Sequence, residues 1–161
     1  MSNRQTDFET VQNAFNGIRV TKGQYTSIAT CDSEGTPNVA PIGSMRIVDE
    51  KTVHVLQGYL PRTFANLRQN PKATFSVCLK PKLLDLIDVI KETDAPMGYQ
   101  VTCEFVGVDE TEDAVTTECL QIVRRVPLLF RRPFIKFSRN KLKRLLKFNI
   151  LEVRAVGVPE T

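Results

Sequence analysis

The sequence predicts an α+β domain built mainly on an antiparallel β-sheet, and three observations predict it. Six runs rich in Val, Ile, Thr, Phe and Tyr recur along the chain, most of them bounded by Gly, Pro or Asp-rich turns. Between and around them lie short helical patterns rather than the regular strand–helix alternation of a parallel sheet. No repeat, low-complexity tract or linker divides the 161 residues, so the expectation is a single domain over 1–161, long enough to bury its own core.

Each element has its own signal. Phe8, Val11 and Phe15 share one face of a first helix, with Thr6 or Asp7 as its cap and Gly17 at its end. Gln24 to Cys31 reads as a strand, and Asp32-Ser33-Glu34-Gly35 as a hairpin loop in which Gly35 takes positive φ. A second strand is expected over Asn38 to Val48, irregular or at an edge because Pro37 and Pro41 remove ladder donors. After the Asp49-Glu50-Lys51 turn comes a third strand, Thr52 to Leu56. Gly58 and Pro61 break it, and a short helix runs from Arg62 to Gln69 until Asn70-Pro71 stops it.

Lys72 to Leu79 is the fourth strand. Lys80 to Pro96 reads as a helix or loop insert, with Leu83, Leu86, Ile87 and Ile90 at helical spacing. Gly98 to Val108 is the fifth strand, Glu110 to Val126 a helix, Ser138 to Leu146 a further helix, and Phe148 to Val158 the sixth strand. Six antiparallel strands of this length can close into a small barrel.

Composition excludes several functions. Cys31, Cys78, Cys103 and Cys119 form no C-x-x-C pair and His54 is the single histidine, so no metal site is expected. No apolar run approaches bilayer length and Met1-Ser2-Asn3-Arg4 does not open a signal peptide, so a cytoplasmic location with reduced thiols is expected. The net charge of +4 conceals an asymmetry: ten Lys or Arg and no acid lie between Cys119 and Leu151, leaving 12 basic against 18 acidic residues elsewhere. Arg139, Lys143 and Lys147 repeat at helical spacing opposite Leu142, Leu145 and Leu146, as in an amphipathic basic helix. A solvated face is the expected role, ahead of contact with an anionic substrate, a nucleic acid or an acidic membrane. Pro127, Pro133 and the Leu128-Leu129-Phe130 between them predict a rigid loop with exposed apolar groups.

No set of acid, base and nucleophile suggests catalysis by side chains. The start of the short helix is more informative. Pro61 suits the first helical position, whereas Arg62 puts a cation beside the positive end of the helix dipole, which is unfavourable by roughly 0.3–1 kcal/mol at an exposed site. Either Arg62 points into water, or an anion held between the guanidinium, the free N–H groups and the Thr63 hydroxyl reverses the sign.

The surrounding stretch resembles the FMN-binding split-barrel family, related to pyridoxamine 5′-phosphate oxidase and small FMN-binding proteins. The resemblance is carried by I-A-T-C-D-S-E-G-T-P-N-V-A-P, the following strand ending M-R, the aspartate turn, V-H-V-L-Q and P-R-T-F-A-N-L-R-Q-N-P; Gly98-Tyr99-Gln100-Val101 fits the next strand. It covers roughly residues 20 to 108. It implies a six-stranded Greek-key split β-barrel with flanking short helices, and a homodimer with FMN at its interface. By the same resemblance Arg46, Arg62 and Thr63 hold the phosphate, Gly43, Ser44, Met45, Leu56 and Gln57 line the flavin, and Gln100 contacts its ring.

The redox chemistry then belongs to the flavin, as in an oxidoreductase acting on a small molecule, and no catalytic side chain is required. The departures restrict this. Thr63 stands where the oxidases usually have lysine, and the chain has no tryptophan for the C-terminal segment of pyridoxamine phosphate oxidases proper. Relatives also bind F420 or haem, and His54 is a poor haem ligand. The remaining alternatives are a non-enzymatic flavin carrier, an F420-dependent reductase, or a nucleic-acid or membrane binder with an empty barrel.

Overall fold

The computed structural model describes residues 7–18, 24–58, 60–79, 96–124, 126–133, 135–136 and 142–157. Along the chain these form α1 (Phe8–Asn16), β1 (Thr26–Cys31), β2 (Pro37–Ile42), β3 (Met45–Ile47), β4 (Thr52–Leu56), α2 (Pro61–Gln69), β5 (Lys72–Cys78), β6 (Gly98–Asp109), α3 (Glu112–Val123), a 3-10 turn (Leu128–Phe130) and β7 (Leu145–Val156). The strands make one antiparallel sheet in the order β2-β1-β5-β6-β7-β4-β3. It curves into a half-barrel, because its two edge strands are consecutive in the chain with only Gly43 and Ser44 between them.

That junction corrects the strand count. The expected second strand, Asn38 to Val48, is two strands, and the described sheet has seven rather than six. The chain turns a corner at Gly43–Ser44, so β2 pairs with β1 while β3 pairs with β4.

One face of the sheet encloses the main core: Ile28, Ile42, Met45, Ile47, Val53, Val55, Phe75, Val101, Leu146 and Phe148 are buried there. Phe148 is the hub, edge-on to Phe75 at 5.2 Å between ring centroids and tilted against Phe105 at 5.4 Å. Val11 and Phe15 of α1 complete this core. α1 also closes an edge: Asn16 exchanges two hydrogen bonds with the backbone of Ile47 on β3, at 2.8 and 2.9 Å, as a neighbouring strand would. A second cluster lies on the opposite face, where Leu56 and Leu145 pack beneath Val115, Cys119 and Ile122 of α3, with Leu142 alongside.

The helix expected over Ser138 to Leu146 is corrected where it can be followed. Residues 137–141 lie outside those described, 142–144 have no regular structure, and Leu145 opens β7, three residues before the expected strand start at Phe148. The leucines obey the strand period instead: Leu145 faces α3, whereas Leu146 and Phe148 belong to the main core. The basic residues there are partly neutralised, Lys147 by Asp109 and Arg144 by Glu110, each at 2.7 Å. The expected helix or loop over Lys80 to Pro96 falls almost wholly outside the described residues.

Candidate functional site

α2 begins as its sequence requires, with Pro61 in the first turn and Leu60, whose side chain makes no capping bond, at the N-cap. Phe64 N–H reaches Leu60 C=O at 3.1 Å, so the N–H groups of Arg62 and Thr63 precede the first intrahelical bond. Arg62 is exposed. It lies near the β1–β2 turn, where Asp32 is held below the usual carboxylate range, chiefly by the Thr36 backbone N–H and in smaller part by the Arg62 charge. Thr63 faces the other way. Only 3% exposed, its Oγ1 accepts from Asn38 Nδ2 at 3.1 Å. Asn38 and Asn66 both reach Thr30 Oγ1, at 3.4 and 3.3 Å, and this polar ladder seats α2 on β1 and β2.

A second group gathers at the corner between β2 and β3. Ser44 Oγ donates to Leu56 C=O at 2.7 Å, and Leu56 N–H to Ser44 C=O at 3.3 Å. Gly43, Ser44 and Met45 are thereby brought against Leu56 and Gln57, although Met45 and Leu56 are both buried in apolar clusters. The Gln57 backbone N–H donates to Arg144 C=O at 2.8 Å. Its side-chain Oε1 is buried and has no hydrogen-bond partner among the described residues. Such an orphaned acceptor costs about 1–3 kcal/mol, and a ligand donor would recover it.

Arg46, the next residue along β3, points to the outer face and is engaged by α3. Its Nε donates to Glu118 Oε1 at 2.6 Å and its Nη2 to Oε2 at 2.8 Å. His54, opposite Arg46 in the β3–β4 register, places Nδ1 2.9 Å from the same Oε2. Burial alone would raise the Glu118 pKa, but the hydrogen bonds from Arg46 and then His54 outweigh it and hold the group at about 2. Being ionised, Glu118 accepts, so the His54 tautomer carries hydrogen on Nδ1. Gln100 stands apart on β6, where its Oε1 accepts from Arg154 Nε at 2.8 Å and from a second guanidinium N–H.

The sequence-derived residues therefore fall into separate groups. The corner unites Gly43, Ser44, Met45, Leu56 and Gln57; Arg62 and Thr63 share the α2 terminus but face opposite ways; Arg46 is bound to Glu118, and Gln100 to Arg154. Sequence reasoning missed Glu118. Its signal was available: a carboxylate on the Val115–Cys119–Ile122 stripe of a helix must find a buried cation. A cleft of about 430 Å³ opens beside α3, lined by Val115, Cys119 and Leu142 together with Glu110, Glu112 and Lys143. Its two carboxylates make it a poor seat for a phosphate. Among the described residues no cluster of three or more His, Cys, Asp or Glu is placed to hold a metal, and no helix is long and apolar enough to cross a membrane.

A comparison with curated proteins gave no match. Among solved structures, an FMN-binding protein from Syntrophomonas wolfei subsp. wolfei superposes with a TM-score of 0.65 at 21% identity, covering 94% of this chain and 87% of that one. HupZ from Group A Streptococcus gives 0.61 at 15% identity, over 95% and 97% of the two chains. An F420 reductase gives 0.55 at 15%, over 92% and 96%. At these identities the likeness is one of fold. The sequence itself goes further: a family model described as pyridoxamine 5′-phosphate oxidase matches residues 19–157. The chain thus belongs to the pyridoxamine 5′-phosphate oxidase family, with the FMN-binding split-barrel fold.

Proposed function

We propose that this protein is an FMN-binding flavoprotein that acts as an oxidoreductase on a small molecule, with the flavin at a homodimer interface. The observation that carries the reading is the α2 terminus, where first-turn N–H groups and the exposed Arg62 occur together, the donor types that a phosphate takes. The orphaned Gln57 Oε1 adds an acceptor for a ring N–H, as an isoalloxazine carries. The donor set thus fits a phosphate-bearing flavin, which when bound would supply the electron-transfer chemistry that these side chains lack.

Arg62 is the principal phosphate ligand in this reading. Arg46 joins it only by leaving Glu118, and Thr63 offers its hydroxyl only by rearranging against Asn38. Gly43, Ser44, Met45 and Leu56 shape the wall near Gln57, and Gln100 offers its Oε1 to the ring only by leaving Arg154. The fold likeness to an F420 reductase supports a second reading, with F420 presenting its own phosphate to the same terminus.

The test is direct. Protein purified without added cofactor is expected to carry, or to take up on titration, one FMN per chain, with quenching of flavin fluorescence. Arg62→Ala should weaken that binding at least tenfold while leaving the fold intact. Full occupancy in Arg62→Ala would refute the assignment of the phosphate site, and uptake of F420 in place of FMN would favour the second reading. Sedimentation of the loaded protein checks the dimer, and anaerobic reduction by NADH or NADPH distinguishes an enzyme from a flavin carrier.

A further inference from the structure

The basic C-terminal third contains a surface that the flavin reading does not use. Leu128 and Leu129, in the 3-10 turn after α3, are 78% and 82% exposed, the two highest values among the large hydrophobic residues described. The turn is firmly mounted. Pro127 leads into it, and Arg131 folds back to donate from Nε to Val126 C=O at 3.0 Å and from Nη2 to Arg124 C=O at 3.4 Å, capping the end of α3. Arg124, Arg132 and Lys136 are exposed around it, and no Asp or Glu occurs between Cys119 and Leu151.

Two adjacent leucines held out on a rigid turn call for an apolar partner, and the cations around them call for an anionic one. A second copy meeting this patch with its own, face to face on a two-fold axis, would set arginine against arginine. A nucleic acid would answer the charges and leave the leucines in water. An anionic bilayer answers both, since leucines enter the boundary between headgroups and acyl chains while guanidinium and ammonium groups meet lipid phosphates. We propose that the Leu128–Leu129 turn, with Arg124, Arg132 and Lys136, docks the protein onto the surface of an anionic lipid bilayer. This is attachment at the interface, with no segment crossing it, and it stands independently of the flavin site.

The experiment is co-sedimentation of the full chain with vesicles of mixed phosphatidylglycerol and phosphatidylcholine, against vesicles of phosphatidylcholine alone. Binding is expected to the anionic vesicles and to weaken with added salt. Arg132→Ala should lower the partition coefficient about fivefold. The Leu128→Ser, Leu129→Ser double variant should lower it more than about tenfold. Both changes lie at exposed positions, so circular dichroism and melting temperature should match the parent. Equal binding to both vesicle types, or partition unchanged in both variants, overturns the proposal. Binding to duplex DNA that is lost in Arg132→Ala but kept in the leucine variant would reassign the patch to nucleic acid. A fall in oligomer size in the leucine variant, without vesicle binding by the parent, would reassign it to contact between copies of the chain.

Discussion

Glu118 shows what a single side chain contributes here. At 2% exposure it joins α3 to β3 and β4 through Arg46 and His54, so removing its charge strands a partly buried guanidinium. Glu118→Ala is expected to cost on the order of 3 kcal/mol, at the low end for a broken buried pair because Arg46 keeps some contact with water. Urea denaturation checks it. The pH dependence follows from the sign of the shift. The folded carboxyl lies below its ordinary 4.5, so its stabilisation is present above that value and is lost as pH falls toward about 2. The gap in stability between parent and Glu118→Gln should therefore narrow steadily across that interval. Cysteine reactivity should divide by burial: the Cys103 thiol is buried and pushed up to about 12, whereas Cys78 is exposed. A maleimide reagent is expected to label Cys78 in the folded protein and Cys103 only after unfolding. Of these residues Arg46 stood out in the sequence, but its partner did not, since 72 positions separate it from Glu118.

At the scale of elements, local chemistry specified starts and stops well. Asp7 caps α1 by accepting from the N–H groups of Glu9 and Thr10, both at 3.3 Å, and Asp7→Ala should cost about 1 kcal/mol in thermal or urea unfolding. Gly35 takes φ +83° in the β1–β2 turn, as its place in the Asp-Ser-Glu-Gly loop requires. Gly98 answers to a different demand. It begins β6 opposite Cys78, and a Cβ there would lie 2.3 Å from Val77 C=O. Gly98→Ala is expected to destabilise by roughly 1–3 kcal/mol, read by chemical denaturation, because backbone rather than a flexible side chain must yield. Local signals failed where periods compete. Leu142, Leu145 and Leu146 fit a helix in isolation, but β7 is paired on both sides over Leu145 to Asn149, and that pairing sets the period. The break at Gly43–Ser44 left a fainter trace: the inward positions are even-numbered up to Ile42 and odd-numbered from Met45, so the alternation changes phase at the corner.

For the molecule as a whole, stability should concentrate where the sheet is doubly paired. β6 lies between β5 and β7 and is paired along its whole length with β7, whereas β2 and β3 are edges. Hydrogen exchange is expected to be slowest in the paired amides of β5, β6 and β7, and fastest in β2; comparable protection in β2 would contradict the topology. Arg62 belongs to this scale as well as to its own, because its N-terminal position was legible while the turn beside it depended on how β1 and β2 pack against α2. By itself the sequence determined the α+β class, the caps and turns, the family and the candidate anion-binding helix. Those depend on contacts within a few residues or on a motif order that survives without coordinates. Only the tertiary structure decided that Arg46 answers to Glu118, that Thr63 turns into the sheet and that the last leucines form a strand. Each of these is settled by a partner distant in the chain, which burial selects and local propensity does not encode.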